Sequence, residues 1–134
     1  MPISKEEWAY LAGFLDGEGC IQAYKTAKRA RRPKITIAQK DGEVLFWIQE
    51  TFGGGLWHNT KSGDYWLWYS DNLELTDWLL RGVLPFLKLK RYQALVAMAL
   101  CERPDWSKQD RLFRLLRLLK RMTNEEIRAS RSSL

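Results

Sequence analysis

Residues 11–19, LAGFLDGEG, read as an apolar helical stretch that stops on Gly17 and Gly19 with two carboxylates, Asp16 and Glu18, in its last turn. Apolar helices rarely finish on paired acids. The rest of the chain is basic: 22 Lys and Arg against 16 Asp and Glu, a net charge of +6. Carboxylates placed at a helix end in such a chain point to metal-assisted work on a polyanion.

The chain's 134 residues favour one domain over 1–134, with a core at about 4–102 and C-terminal helices at about 105–130. A hydrophobic share of 46% makes it globular rather than disordered. Cys20 and Cys101 are far apart and form no CxxC, so two free thiols in a reducing compartment are expected. The longest apolar run, 94–101, is too short to cross a bilayer. The stretch MPISKEEW has no apolar signal region, so an intracellular protein without a membrane partner is expected.

Ser4 and Glu7 make a capping box that starts a helix near Lys5. Trp8, Leu11, Ala12 and Leu15 fall at helical spacing and face a core. A second stripe, Ala9, Ala12, Gly13 and Asp16, is small or polar. Glycine within a helix costs about 1 kcal/mol relative to alanine, so Gly13 implies a close contact with another helix. Ala9, Ala12 and Gly13 are the expected seam.

Strands are expected at 20–28 and 35–39, joined by the basic turn KTAKRARRPK. A helix capped by Asp41 runs to about Phe52, and a hairpin pairs 56–61 with 65–70 around Ser62–Gly63–Asp64. Asn72 caps a helix to about Val83, and Pro85 breaks it. Helices follow at 92–101, around Leu112–Leu119, and after a capping box at Thr123 and Glu126. The order α-ββ-α-ββ-α, then C-terminal helices, gives an α+β fold with a four-stranded antiparallel sheet.

LAGFLDGEG resembles the motif of the LAGLIDADG homing endonucleases, with Glu18 in the penultimate acidic place. IAQKDGEVLFWI (37–48) and PFLKLKRYQALV (85–96) are similar to segments of the single-motif enzymes encoded in group I introns. The resemblance implies a homodimer in which two motif helices pack through their small faces. It also implies a near-palindromic double-stranded DNA target, cut in both strands with short 3′ overhangs.

In that family the metal ligands are the penultimate acid and the last motif carbonyl, here Glu18 and Gly19. Mg²⁺ suits such oxygen donors, and Mn²⁺ is expected to substitute. Asp16 is then a structural residue near the helix end. Gln39 falls where the family places a polar residue near the attacking water. A polar residue at a strand end is the plain alternative. Lys90 falls where the family has a lysine that stabilises developing phosphate charge; an exposed lysine is the alternative. The family's basic residue four positions after the glutamine is Glu43 here, with Lys40 or an arginine as the substitute.

A strand of about 10 residues spans about 33 Å and follows about 10 base pairs of major groove. Alternation nominates Gln22, Tyr24, Thr26 and Lys28 on the first strand, and Thr36 beside Lys34 on the second. His58, Thr60 and Lys61 are nominated on the hairpin, in a register that a slip of one residue would reverse. Trp66 and Trp68 are expected in the core. Arg29, Arg31 and Arg32 on the turn are expected to contact phosphates. Arg111, Arg114, Arg117, Lys120 and Arg121 read as the wet face of a helix.

Two other readings stand beside the endonuclease. One is a catalytically silent relative that binds intron RNA as a maturase, or DNA as a regulator. The other is a basic interaction domain whose acids merely end a helix. An organelle or a bacterial cytoplasm is the expected compartment.

Overall fold

The structure, a computed structural model, describes residues 2–122, 126, 128 and 129. Helix α1 (Lys5–Glu18) begins at the expected capping box: the Ser4 hydroxyl accepts from the Glu7 N–H, and the Glu7 carboxylate accepts from the Ser4 N–H. Strands β1 (Gly19–Lys25) and β2 (Arg31–Gln39) follow, then α2 (Glu43–Phe52), β3 (Gly55–Asn59) and β4 (Tyr65–Tyr69). Helices α3 (Leu73–Val83), α4 (Arg91–Cys101) and α5 (Trp106–Arg121) complete the described chain, with a 3-10 turn at Leu84–Phe86. The cap expected at Thr123 lies outside the described residues.

The four strands form one antiparallel sheet in the order β1-β2-β4-β3. Alternation divides it into two faces. Ile21, Ile35, Ile37 and Trp68 lie on one face, buried in a core with Leu15, Leu45, Leu79 and Leu100 from the helices. The opposite face is open: the register aligns Gln22 with Lys34, Tyr24 with Arg32, and Thr36 with Tyr69.

Trp68 is fully buried, and its indole N–H reaches the Gly53 carbonyl at 2.8 Å. The polar end of a large apolar ring is thus satisfied. Gly54 has φ +94° and lies against that indole, so no side chain fits there. Helix α1 is anchored by Trp8, which packs on Phe52 and Trp78 and over Gly82.

β2 reaches beyond its neighbour β4. Past that end, the Ile35 N–H donates to the Ser70 hydroxyl, and the Arg31 N–H donates to Gln109 Oε1. Pro33 lies between them on the same backbone edge and has no N–H to satisfy.

Expectations about several elements shift. β2 begins at Arg31, not at 35, because Arg31–Lys34 pair with β1 and do not form a turn, and β3 is Gly55–Asn59, not 56–61. β1 ends at Lys25, because Thr26 closes the turn: its N–H donates to the Ala30 carbonyl and its hydroxyl accepts from the Ala30 N–H. The N-cap of α2 is Gly42, beneath the Trp66 ring, while Asp41 accepts from the Glu43 N–H. Ala12 is fully buried within the chain and belongs to the core, not to an outer seam.

Candidate nuclease site and nucleic-acid face

The end of α1 is where the two acids part company. Asp16 is 9% exposed, and its carboxylate accepts from the Lys88 N–H at 2.7 Å and the Lys90 N–H at 3.0 Å. Lys90 returns the contact: its Nζ donates to the Asp16 carbonyl at 2.6 Å. That carbonyl is one of those a helix leaves unpaired in its last turn, and a cation there suits the helix dipole. Asp16 is therefore spent on folding, as a clamp on the segment that carries Lys90.

Glu18 differs in every respect. It is exposed, at the negative end of α1, and the last turn has no basic residue. The placement is unfavourable by roughly 0.3–1 kcal/mol. Gln39, the last residue of β2, donates from Nε2 to the Glu18 carboxylate at 3.1 Å. Gly19 caps the helix with its N–H on the Leu15 carbonyl, and a Cβ there would collide with the Leu15 side chain. The helix thus gives way to β1 immediately after the acid, bringing Glu18, Gln39 and Lys90 to one end of α1.

Glu18 and the Gly19 carbonyl are hard oxygen donors of the kind Mg²⁺ and Ca²⁺ take. Among the described residues no group of three or more His, Cys, Asp or Glu is placed to hold a metal ion.

The outer face of α1 carries Ala9, Gly13 and Gly17, all exposed and one turn apart. A Cβ added at Gly13 or Gly17 would meet nothing within 4 Å. Ala9 and Gly13 thus remain on an outward stripe, and Gly17 takes the place that Ala12 was expected to fill.

The nominated contact residues divide as well. Gln22, Tyr24, Arg32, Lys34 and Thr36 share the open sheet face. Lys34 Nζ lies 4.9 Å from the Tyr69 ring centre and 5.7 Å from that of Tyr24. Lys28 and Arg29 are exposed on the β1–β2 turn, and Arg29 has φ 65°. Lys40 is exposed just beyond β2, and Thr60 and Lys61 are exposed on the hairpin loop.

Three nominations are corrected. Thr26 braces the turn, as described above, and does not extend the row on the open face. His58 shares a row with Trp66, on the helix-covered face, and stacks on that ring at 4.1 Å. Arg31 also points to the helical side. Its side chain is 12% exposed, 3.7 Å from Asp110, and its guanidinium lies 4.5 Å from the Phe113 ring centre. It fastens α5 and reaches no outer surface.

Sequence reasoning passed over Trp57, Leu67 and Tyr69, which the register places on the open face. The buried Asn59 could have signalled this. Its side chain accepts from the Lys61 and Ser62 N–H groups and fixes the hairpin loop, which sets the parity of β3.

No helix among the described residues is long and apolar enough to cross a membrane. The family model described as LAGLIDADG endonuclease matches residues 11–87. The homing endonuclease I-CvuI, crystallised with its target, has a TM-score of 0.74 at 24% identity, over 90% of this chain and 85% of that one. The archaeal intron-encoded homing endonuclease I-Vdi141I, complexed with DNA, has a TM-score of 0.70 at 21% identity, over 89% and 85%. These two are likenesses of fold. The intron-encoded RNA maturase bI4 of Saccharomyces cerevisiae is 30% identical over 69 residues, which is 50% of this chain. The matched stretch spans 11% of that relative's length. The match from the motif through Leu87, on this fold, shows that the chain belongs to the LAGLIDADG endonuclease family.

Proposed function

We propose that this chain is a site-specific DNA endonuclease that works as a homodimer with a divalent cation. It hydrolyses both strands at the centre of a long, near-palindromic site and leaves short 3′ overhangs. Mg²⁺ is the natural ion and Mn²⁺ a substitute. Residues 1–134 act as one unit, and an organellar or bacterial compartment suits the reading.

The observation that carries the proposal is the division of labour at the end of α1. Asp16 is locked into the fold and holds Lys90, while Glu18, two residues on, is exposed and bonded by Gln39. Glu18 and the Gly19 carbonyl would hold the cation. When bound, it would supply an activated water and neutralise charge on the phosphate. The Gln39 amide restrains the Glu18 carboxylate at 3.1 Å. Lys90 has three N–H donors and spends one on the Asp16 carbonyl. The others are available to a phosphate oxygen as charge develops on it.

The stripe at Ala9, Gly13 and Gly17 receives the same stripe of a second copy, which brings a second Glu18 to complete the site. Gln22, Tyr24, Arg32, Lys34 and Thr36 face the DNA. The turn residues Lys28 and Arg29, with Lys40, Thr60 and Lys61 near the ends of the sheet, meet its backbone.

The test is incubation with a randomised duplex library in Mg²⁺ and, separately, in Ca²⁺. Discrete double-strand products are expected in Mg²⁺, and binding without cleavage in Ca²⁺. Glu18→Gln should stop cutting and leave binding largely intact; cutting at the unmodified rate by that variant defeats the assignment. The yeast maturase match favours a second reading, RNA binding without cleavage. Retention of intron RNA with no DNA product in any divalent ion would decide for it.

A further inference from the structure

The open sheet face has two chemically different halves. Across β1 and β2 it presents Gln22, Tyr24, Arg32, Lys34 and Thr36, which donate, accept or carry charge. Across β2, β4 and β3 one row reads Ala38, Leu67, Trp57. Ala38 and Leu67 have no polar side-chain atom, and Trp57 has a single N–H donor. Trp57 is 52% exposed and makes no ring contact among the described residues. In the neighbouring row Tyr69 lies flat over Gly55 and beneath Lys34, so the cationic half runs directly into the apolar one.

An apolar row on a surface that otherwise reads polar base edges has one natural counterpart. In the major groove, the only apolar group on a base edge is the C5 methyl of thymine. We propose that Ala38, Leu67 and Trp57 form a pocket for thymine methyl groups and make Trp57 a specificity-determining residue. Ala38 is one residue along β2 from Gln39, the partner of Glu18. The methyl groups therefore belong to base pairs in the inner part of each half-site, away from the end marked by Tyr24 and Arg32. Other bases at these positions leave their donors and acceptors facing side chains that cannot answer them. This inference rests on the DNA-binding reading above and adds the base class that the row selects.

The experiment uses the full chain and a randomised duplex library, selected for binding in Ca²⁺. Thymine should be enriched at one or two inner positions of each half-site. The selected duplex is then remade with deoxyuridine at those positions, which removes the methyl and keeps every polar atom. Affinity should fall roughly fourfold per methyl, the equivalent of one buried CH₂ group. Deoxyuridine at other positions should change little. Trp57→Ala should bind the two duplexes alike, whereas Lys34→Ala should weaken both and preserve their ratio. Equal binding of thymine and deoxyuridine duplexes by the unmodified protein overturns the pocket, and that comparison needs no variant to fold. If the library yields no bound duplex at all, the DNA-binding reading itself fails. Bound duplexes without thymine enrichment overturn only the methyl pocket.

Discussion

Asp16 and Lys90 hold each other in both directions: the Asp16 carboxylate accepts from the Lys90 backbone N–H at 3.0 Å, and Lys90 Nζ donates to the Asp16 carbonyl at 2.6 Å. A residue buried for structural reasons thereby sets the position of one nominated for chemistry. Asp16→Ala leaves the Lys88 and Lys90 N–H groups without their acceptor, so it should cost about 3 kcal/mol of stability. A urea melt reads that loss.

Lys90→Ala keeps the backbone bond to Asp16 and removes the Nζ bond to the Asp16 carbonyl. It should cost about 1–2 kcal/mol of stability, while cleavage should slow by about 10²–10³. Single-turnover rates at saturating protein separate this from a change in DNA affinity. A normal rate would return Lys90 to the category of an ordinary surface lysine.

The stripe on α1 makes an assembly prediction. Gly13 has open space where a side chain would begin, so Gly13→Leu should leave the protomer folded. It should also force two facing helices apart. Sedimentation should then report a monomer, with cleavage lost in parallel. A Gly13→Leu protein that remains dimeric would place the interface elsewhere.

Arg31 and Lys34 lie on the same strand with opposite parity, and their variants should differ in kind. Arg31→Ala removes the contacts to Asp110, Phe113 and Trp106, so it should lower stability by about 1–3 kcal/mol and spare the salt dependence of DNA binding. Lys34→Ala should leave stability nearly unchanged. If Lys34 meets one phosphate, the slope of log affinity against log salt should fall by about 0.9.

Cys101 offers a prediction in pH. Burial, with Asp77 nearby, pushes its thiol from 9.0 up to about 12. Between those values the folded chain keeps a proton that the unfolded chain has released, so stability declines as pH rises through that window. Below it, this group contributes no slope. Cys101→Ala should flatten the decline when urea melts at about pH 8 and about pH 10 are compared. Alkylation of Cys101 at about pH 8 should run about a thousandfold slower than that of an unperturbed thiol.

Much of this was legible from residue order. The Ser4–Glu7 box and the Asn72 cap each act locally, so spacing alone located those two helix starts, whereas α1 runs through Gly17, expected as a stop, to Glu18. The structural place of Asp16 also came through, from the motif it shares with the exposed Glu18. Parity was harder. Arg31 lies in a run of cations, and only its docking on α5, far along the chain, turns it inward. His58 depends on where the hairpin loop ends, which the buried Asn59 decides. Ala12 and Gly13 are neighbours in sequence but about 100° apart around a helix, so one stripe could not contain both. Long-range packing settled only Arg31; the other two follow from hairpin and helix geometry that the residue types alone leave open.

Pro33 carries a consequence for the open sheet face, which it does not itself line. It lies between two backbone donors of β2, one bonded to Ser70 and one to Gln109. Sliding β4 along β2 toward Arg31 would bring a strand carbonyl opposite a position with no hydrogen to give. The missing donor acts as a stop, and it penalises every shifted pairing that would carry Leu67 past Ala38. The order of side chains along the open face is thus guarded at the backbone of one strand, by a bond that proline cannot make.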